Sequence, residues 1–176
     1  FRRVLFRSPV LETALQMGSS PSIENAVRFA FWGAEEVGLV GSTRYVEGLS
    51  DQERADIALY LNFDMLGSPN AGYLAYDGDN SDAVGEGPGP EGSAGIERTF
   101  VDFLAGRGIA ADGTDFDGRS DYGPFIEIGI PAGGVFSGAD ERKTPAQAEK
   151  WGGEAEETFD PNYHSAQDNL ANIDRD

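Results

Sequence analysis

The chain has 176 residues, one domain's worth, and its 13 Lys+Arg against 31 Asp+Glu give a formal charge of -18 at pH 7. A charge this negative repels phosphate backbones and anionic lipid surfaces, which argues against a nucleic-acid groove and against a polybasic membrane patch. With no Cys, disulfides, thiolate ligands and thiol nucleophiles are excluded together, so any catalysis rests on carboxylates, hydroxyls, Arg, Lys or the single His164.

At 39% hydrophobic and 11% aromatic residues the chain has enough apolar material for a core. No run of about 18 apolar residues offers a membrane-spanning helix. Residues 1–8 carry Arg2, Arg3 and Arg7 in an otherwise acidic chain and lack the apolar core of a signal peptide, so they read as a foreign or non-native segment.

From Val10 the spacing of Leu11, Ala14, Leu15 and Met17 predicts an amphipathic helix, with Ser8-Pro9 as its start and Gly18 as its stop. Val27 to Trp32 is a short, mostly apolar, β-rich run and reads as a central buried strand. Glu35-Glu36 follow it, and Gly41 to Tyr45 begins a second helix bounded by Gly48. Ile57 to Phe63 is a second strand running into Asp64, and Tyr73 to Tyr76 a third.

The stretch from Asp77 to Gly95 is crowded with Gly, Pro, Asp and Glu and is expected to be an acidic surface loop, with 78–95 as its body. Ile96, Phe100, Phe103 and Leu104 then repeat at helical spacing and bring a helix back to the core. A loop over Asp112 to Ser120 and a short apolar segment over Pro124 to Ile128 precede the last strand, Pro131 to Phe136. Thr144 to Trp151 reads as a helix with Pro145 in its first turn. Strands apolar on both faces and alternating with helices imply an α/β fold, a three-layer sandwich with a mixed, largely parallel sheet.

Ligands of such sheets bind beyond the carboxyl ends of the strands, where Glu35-Glu36 and Asp64 stand. Adjacent side chains diverge, so Glu35 and Glu36 suit two roles in one site. Carboxylates gathered at strand ends without a nearby Lys are costly unless a cation neutralises them. A neutral imidazole from His164 suits Zn2+ if carboxylates complete the set, although solvated loop carboxylates and a structural His remain open. A Ser-His-Asp route through Ser120 or Ser165 lacks the Gly-x-Ser-x-Gly elbow.

Several ordered motifs change this weighing. VRFAFWGAEEVGLVGSTRY at Val27 to Tyr45 and YLNFDMLGSPNAGYLAYDGD at Tyr60 to Asp79 closely resemble the zinc aminopeptidases of the M28 metallopeptidase family, the secreted bacterial leucine-type enzymes in particular. The likeness continues through Asp117 to Asp121, Gly133 to Ala139, Gln147 to Gly153 and Tyr163 to Ser165, and covers nearly everything from Pro9 onward.

The resemblance implies that Glu35 is the general base and that Tyr163 stabilises the tetrahedral oxyanion. Glu36 and His164 become ligands of one zinc and Asp64 of the other, two Zn2+ in a complete catalytic domain. Arg119 is implied in holding the substrate's terminal amine and first carbonyl, and Phe136 in walling the side-chain pocket. Peptides with a free N-terminus are the implied substrates, with apolar first residues preferred, and an extracellular, secreted location is implied in the same way.

Two positions depart from the family pattern. Tyr122 stands where a His commonly follows Arg-Ser-Asp, and the upstream segment that supplies a His and a bridging Asp has no counterpart. Residues 9–176 are therefore expected to be the C-terminal part of an M28 catalytic domain with its N-terminal part missing, an incomplete and inactive fragment with an unpaired sheet edge.

Alternatives are a glutaminyl-cyclase-like zinc transamidase and a non-catalytic peptidase-like interaction domain. An acidic Ca2+-binding surface at Asp77 to Asp82 does not match the Asp-x-Asp-x-Asp-Gly loop with its closing Glu, and a solvated loop is the expectation there.

Overall fold

The computed structural model describes residues 3–18 and 22–174. Their sheet has four strands: β1 (Tyr60–Phe63), β2 (Leu74–Tyr76), β3 (Asp112–Thr114) and β4 (Ala132–Phe136), in the spatial order β1-β4-β2-β3. The pairs β1–β4 and β2–β3 are parallel, while β2 runs antiparallel to β4. The sheet is thus mixed, with two of its three pairings parallel. The central strand β4 approaches β1 closely at Gly134, where a Cβ would stand 1.9 Å from the Asn62 carbonyl oxygen.

Helices cover both faces. The alternation of side chains along β1 sends Phe63 toward α4 (Ser93–Ala105), where its ring meets Phe100 edge-on at 6.1 Å, and Tyr60 to the other face. There Tyr60 stacks on Phe125 of α5 (Gly123–Glu127) at 4.1 Å, and Val46 of α2 (Val40–Glu47) completes the cluster with Ile130. The three layers expected from the strand and helix pattern are present. Two further helices, α3 (Asp51–Asp56) and α6 (Pro145–Trp151), start at reciprocal capping boxes, Ser50 with Glu53 and Thr144 with Gln147.

Several boundaries differ from the expectation. Helix α1 spans Arg3–Gly18, so it runs through Pro9 instead of starting there. An interior proline removes one N–H and crowds the carbonyl four residues before it, at a cost of about 3 kcal/mol, so a helix running through Pro9 was not the expectation. Val27 to Trp32 belongs to no strand, and Val27 and Phe31 are half exposed. Apolar content suits burial, but a strand also needs a partner to take its N–H and C=O groups, and no described residue pairs with this run. Asp112 to Thr114 lies in the sheet although it reads as loop, because β2 offers it a parallel ladder.

On α4 the expected inward face is only partly right. Phe103 is 55% exposed, with the Arg107 guanidinium 3.6 Å over its ring. The stretch after Tyr76 is irregular as expected, but its beginning is not at the surface: Asp77 is 3% exposed.

Candidate active site

The Glu35-Glu36 pair rides on a tight backbone loop. Ala34 takes the left-handed conformation at φ 57°, turning the chain into the single 3-10 turn Glu35–Val37. Four backbone hydrogen bonds close it, from Gly38 and Leu39 N–H to the Glu35 carbonyl, from Val40 to Ala34 and from Gly41 to Gly33. A non-glycine residue at positive φ costs about 1–3 kcal/mol and persists where the surroundings impose it, commonly at functional sites. His164 and Met65, the residue after Asp64, share this feature at φ 54° and 45°.

His164 comes from the far end of the chain and meets Glu36, with Nε2 2.9 Å from Glu36 Oε2. The Tyr163 ring stacks on the imidazole at 3.9 Å and 18°, which fixes the plane of both. Asp64 stands at the carboxyl end of β1. Its Oδ1 accepts the Met65 N–H at 2.8 Å and its Oδ2 the Ser120 hydroxyl at 2.8 Å, while Ser120 Oγ accepts from Asn62 Nδ2 at 2.9 Å. Two buried polar residues therefore orient this carboxylate. Phe136 ends β4 at the same edge of the sheet, because β1 and β4 are parallel with Phe63 beside Val135.

Asp64, Arg119, Phe136 and Tyr163 line one cleft together with Ser120 and Glu141. The Arg119 guanidinium is 3.1 Å from Asp140 Oδ1 and 3.8 Å from Glu141 Oε1, and it reaches the Tyr163 hydroxyl at 3.5 Å. The hydrogen bond to Asp140 holds the Arg119 pKa above its ordinary value despite some burial. Burial pushes the Tyr163 phenol up, and the neighbouring Arg119 cation offsets part of that rise.

The structure thus joins Glu36 with His164, and Tyr163 with Arg119, Asp64 and Phe136 in one cleft. Glu35 stands directly before Glu36 on the same turn. The ligand atoms of Glu36, Asp64 and His164 do not form one tight triad: among the described residues the three-carboxylate group Asp77, Asp79 and Glu97 alone does so.

Sequence reasoning missed the polar support behind the site. Ser120, weighed as a nucleophile, spends its hydroxyl on Asp64, and Ser165 donates to the Asn162 carbonyl at 2.8 Å. Tyr122, a departure without evident consequence in the sequence, is 1% exposed and holds the turn before Arg119. Its hydroxyl donates to Asp117 Oδ1 at 2.8 Å and accepts the Gly118 N–H at 2.9 Å. A polar residue inside an apolar strand, Asn62, was the signal that could have found this network.

Carboxylate oxygens and an imidazole nitrogen are donor types that can hold a metal ion such as zinc. The chain belongs to peptidase family M28, whose model matches residues 8–176. It is 62% identical over 169 residues to the probable lipoprotein aminopeptidase LpqL of Mycobacterium tuberculosis, covering 94% of this chain and 34% of that protein. It is 49% identical to the leupeptin-inactivating enzyme 1 of Streptomyces exfoliatus, covering 93% of this chain and 35% of that one. Among solved structures it resembles BSAP, a zinc aminopeptidase from Bacillus subtilis, with a TM-score of 0.68 at 29% identity over 93% of this chain and 35% of that chain. The chain therefore spans about a third of the length of these relatives.

Proposed function

We propose that these residues belong to a zinc-dependent aminopeptidase that releases N-terminal, preferably apolar, residues from peptides. The observation that carries this reading is the convergence of His164 Nε2 and Glu36 Oε2 at 2.9 Å from distant parts of the chain. An imidazole nitrogen and carboxylate oxygens are a donor set that suits zinc, so the residues fit the metal. Glu36 and His164 would hold one Zn2+ and Asp64, oriented by Ser120, a second, with the remaining ligands supplied by side chains other than these three. When bound, zinc acidifies water and polarises a carbonyl oxygen.

The chain's own residues do the rest. Glu35 takes the proton of the attacking water on its carboxylate and passes it to the departing amine nitrogen. The Tyr163 phenol donates a hydrogen bond to the oxyanion that develops on the substrate carbonyl. Arg119, with its guanidinium set by Asp140 and Glu141, binds the first carbonyl, while nearby carboxylates attract the free ammonium of the peptide. Phe136 supplies an apolar wall for the first side chain. Export belongs to the same proposal, supported by the relative described as a probable lipoprotein aminopeptidase.

The test has two arms. In equilibrium dialysis against buffered Zn2+, Glu36→Gln and His164→Ala should lower zinc retention while Glu35→Gln leaves it unchanged. On a polypeptide that extends this chain to its relatives' length, Glu35→Gln should reduce leucine p-nitroanilide hydrolysis by about 100-fold or more. Equal zinc retention in all three variants, or full turnover in Glu35→Gln, would overturn the reading.

A further inference from the structure

At the opposite edge of the sheet from Asp64, a second oxygen-rich group is assembled. Strand β2 runs against β1 and β4, so its carboxyl end leaves on the far side and places Asp77 there. Gly78 presses on the start of α4 so closely that a Cβ would lie 2.4 Å from the Ser93 carbonyl. This contact brings the loop carboxylates of Asp77 and Asp79 beside Glu97 on α4. One oxygen from each of the three lies within 4.8 Å of the others. Two oxygens bound at about 2.4 Å on opposite sides of one Ca2+ stand about 4.8 Å apart, so the group has the span of a single coordination sphere.

A second observation is independent of that clustering. Asp77 is 3% exposed, and its Oδ2 accepts the Asp82 N–H at 3.2 Å, but its buried Oδ1 has no hydrogen-bond donor. An ionised oxygen shielded from water and left without a partner is strongly unfavourable, and a cation would remove that cost. No ion pair among the described residues involves Asp77, Asp79 or Glu97, and the one cation that acts on the group, Arg98, does so through the exposed Asp79 and not the buried Asp77 oxygen.

Backbone N–H groups meanwhile orient the other two carboxylates. Gly78 and Asp79 donate to Glu97 Oε2 at 2.8 and 3.3 Å, and Ser81 donates to Asp79 Oδ1 at 2.9 Å.

We infer that Asp77, Asp79 and Glu97 bind a hard divalent cation, Ca2+, which fastens the end of β2 to α4. The donors are all oxygen, the preference of Ca2+, and include none of the nitrogen or sulfur that distinguishes zinc sites. The site neighbours Tyr76, which lines the cleft with Asp64, so its occupancy steadies one wall of that cleft from behind.

The test is equilibrium dialysis of the metal-freed chain with radioactive Ca2+, alongside thermal unfolding in chelator and in Ca2+. One ion per chain should bind with a dissociation constant below about 1 mM, and Mg2+ should bind more weakly. Unfolding should move up by several degrees in Ca2+. Asp79→Asn, a change on an exposed side chain, and Glu97→Gln should each weaken Ca2+ binding at least about tenfold. His164→Ala should leave it intact. The inference is overturned if no saturable binding occurs up to about 10 mM, if both carboxylate variants bind as the unaltered chain does, or if His164→Ala abolishes binding.

Discussion

Val27–Trp32 and β4 are runs of the same kind, short and largely apolar, yet they occupy opposite positions in the molecule. Strand β4 lies between β1 and β2, its first three residues are buried, and both of its ladders are satisfied. Val27–Trp32 follows the flank of α2 and α5 outside the sheet, with Val27 and Phe31 half exposed. It is attached at Arg28, whose guanidinium donates to the Tyr45 hydroxyl, and at its last residue, where the Trp32 indole packs on Tyr45 and Phe125 and donates from Nε1 to the Tyr60 hydroxyl at 2.9 Å. The difference teaches that apolar content sets how much burial is worth, whereas strand identity depends on a neighbour whose backbone groups are available.

Three substitutions sharpen this contrast. Gly134→Ala in β4 would drive a methyl group into the Asn62 carbonyl oxygen and should cost more than about 3 kcal/mol, read as a lower urea midpoint at unchanged slope. Trp32→Phe keeps a ring against Tyr45 and Phe125 but removes the donor to Tyr60, and should cost about 1 kcal/mol by the same measurement. Phe31→Ser, within the run but pointing to solvent for half its surface, should stay within about 0.5 kcal/mol. If Phe31→Ser proved as damaging as Gly134→Ala, the run would be buried in the molecule that unfolds, and the contrast would fail.

The site was legible in uneven measure. Glu35, Glu36, Asp64 and the Tyr163-His164 pair stand out because their motifs are local and ordered along the chain, and the structure brings Glu36 to His164 and lines one cleft with Asp64 and Tyr163. The support beneath them was not legible. Ser120 reaches Asp64 and Asn62, 56 and 58 residues away along the chain, and Tyr122 holds the turn before Arg119 through a hydroxyl whose role the departure from the motif did not reveal. Hydrogen bonds between distant segments leave no periodicity in the sequence, so only residue type, a polar side chain in an apolar strand, hints at them.

The Asp77–Glu97 region shows the same limit more sharply. Read linearly, Asp77 to Asp82 lacks the order of a known Ca2+ loop and passes for a solvated acidic stretch. Glu97 lies beyond the loop, on α4, and joins Asp77 and Asp79 only because β2 and α4 meet at that edge.

The sequence by itself determined the α/β class and helix α6 with Pro145 in its first turn, and its ordered motifs marked the family and, through that resemblance, the residues of the candidate active site. The class and the helix follow from composition, periodicity and capping residues, and the family and site residues from the resemblance of motifs a few residues long. Tertiary structure alone decided which apolar runs became strands, which serine supports Asp64, and which carboxylates share one coordination sphere. Each of these depends on the distance between segments far apart in the chain, set by how the sheet and helices pack.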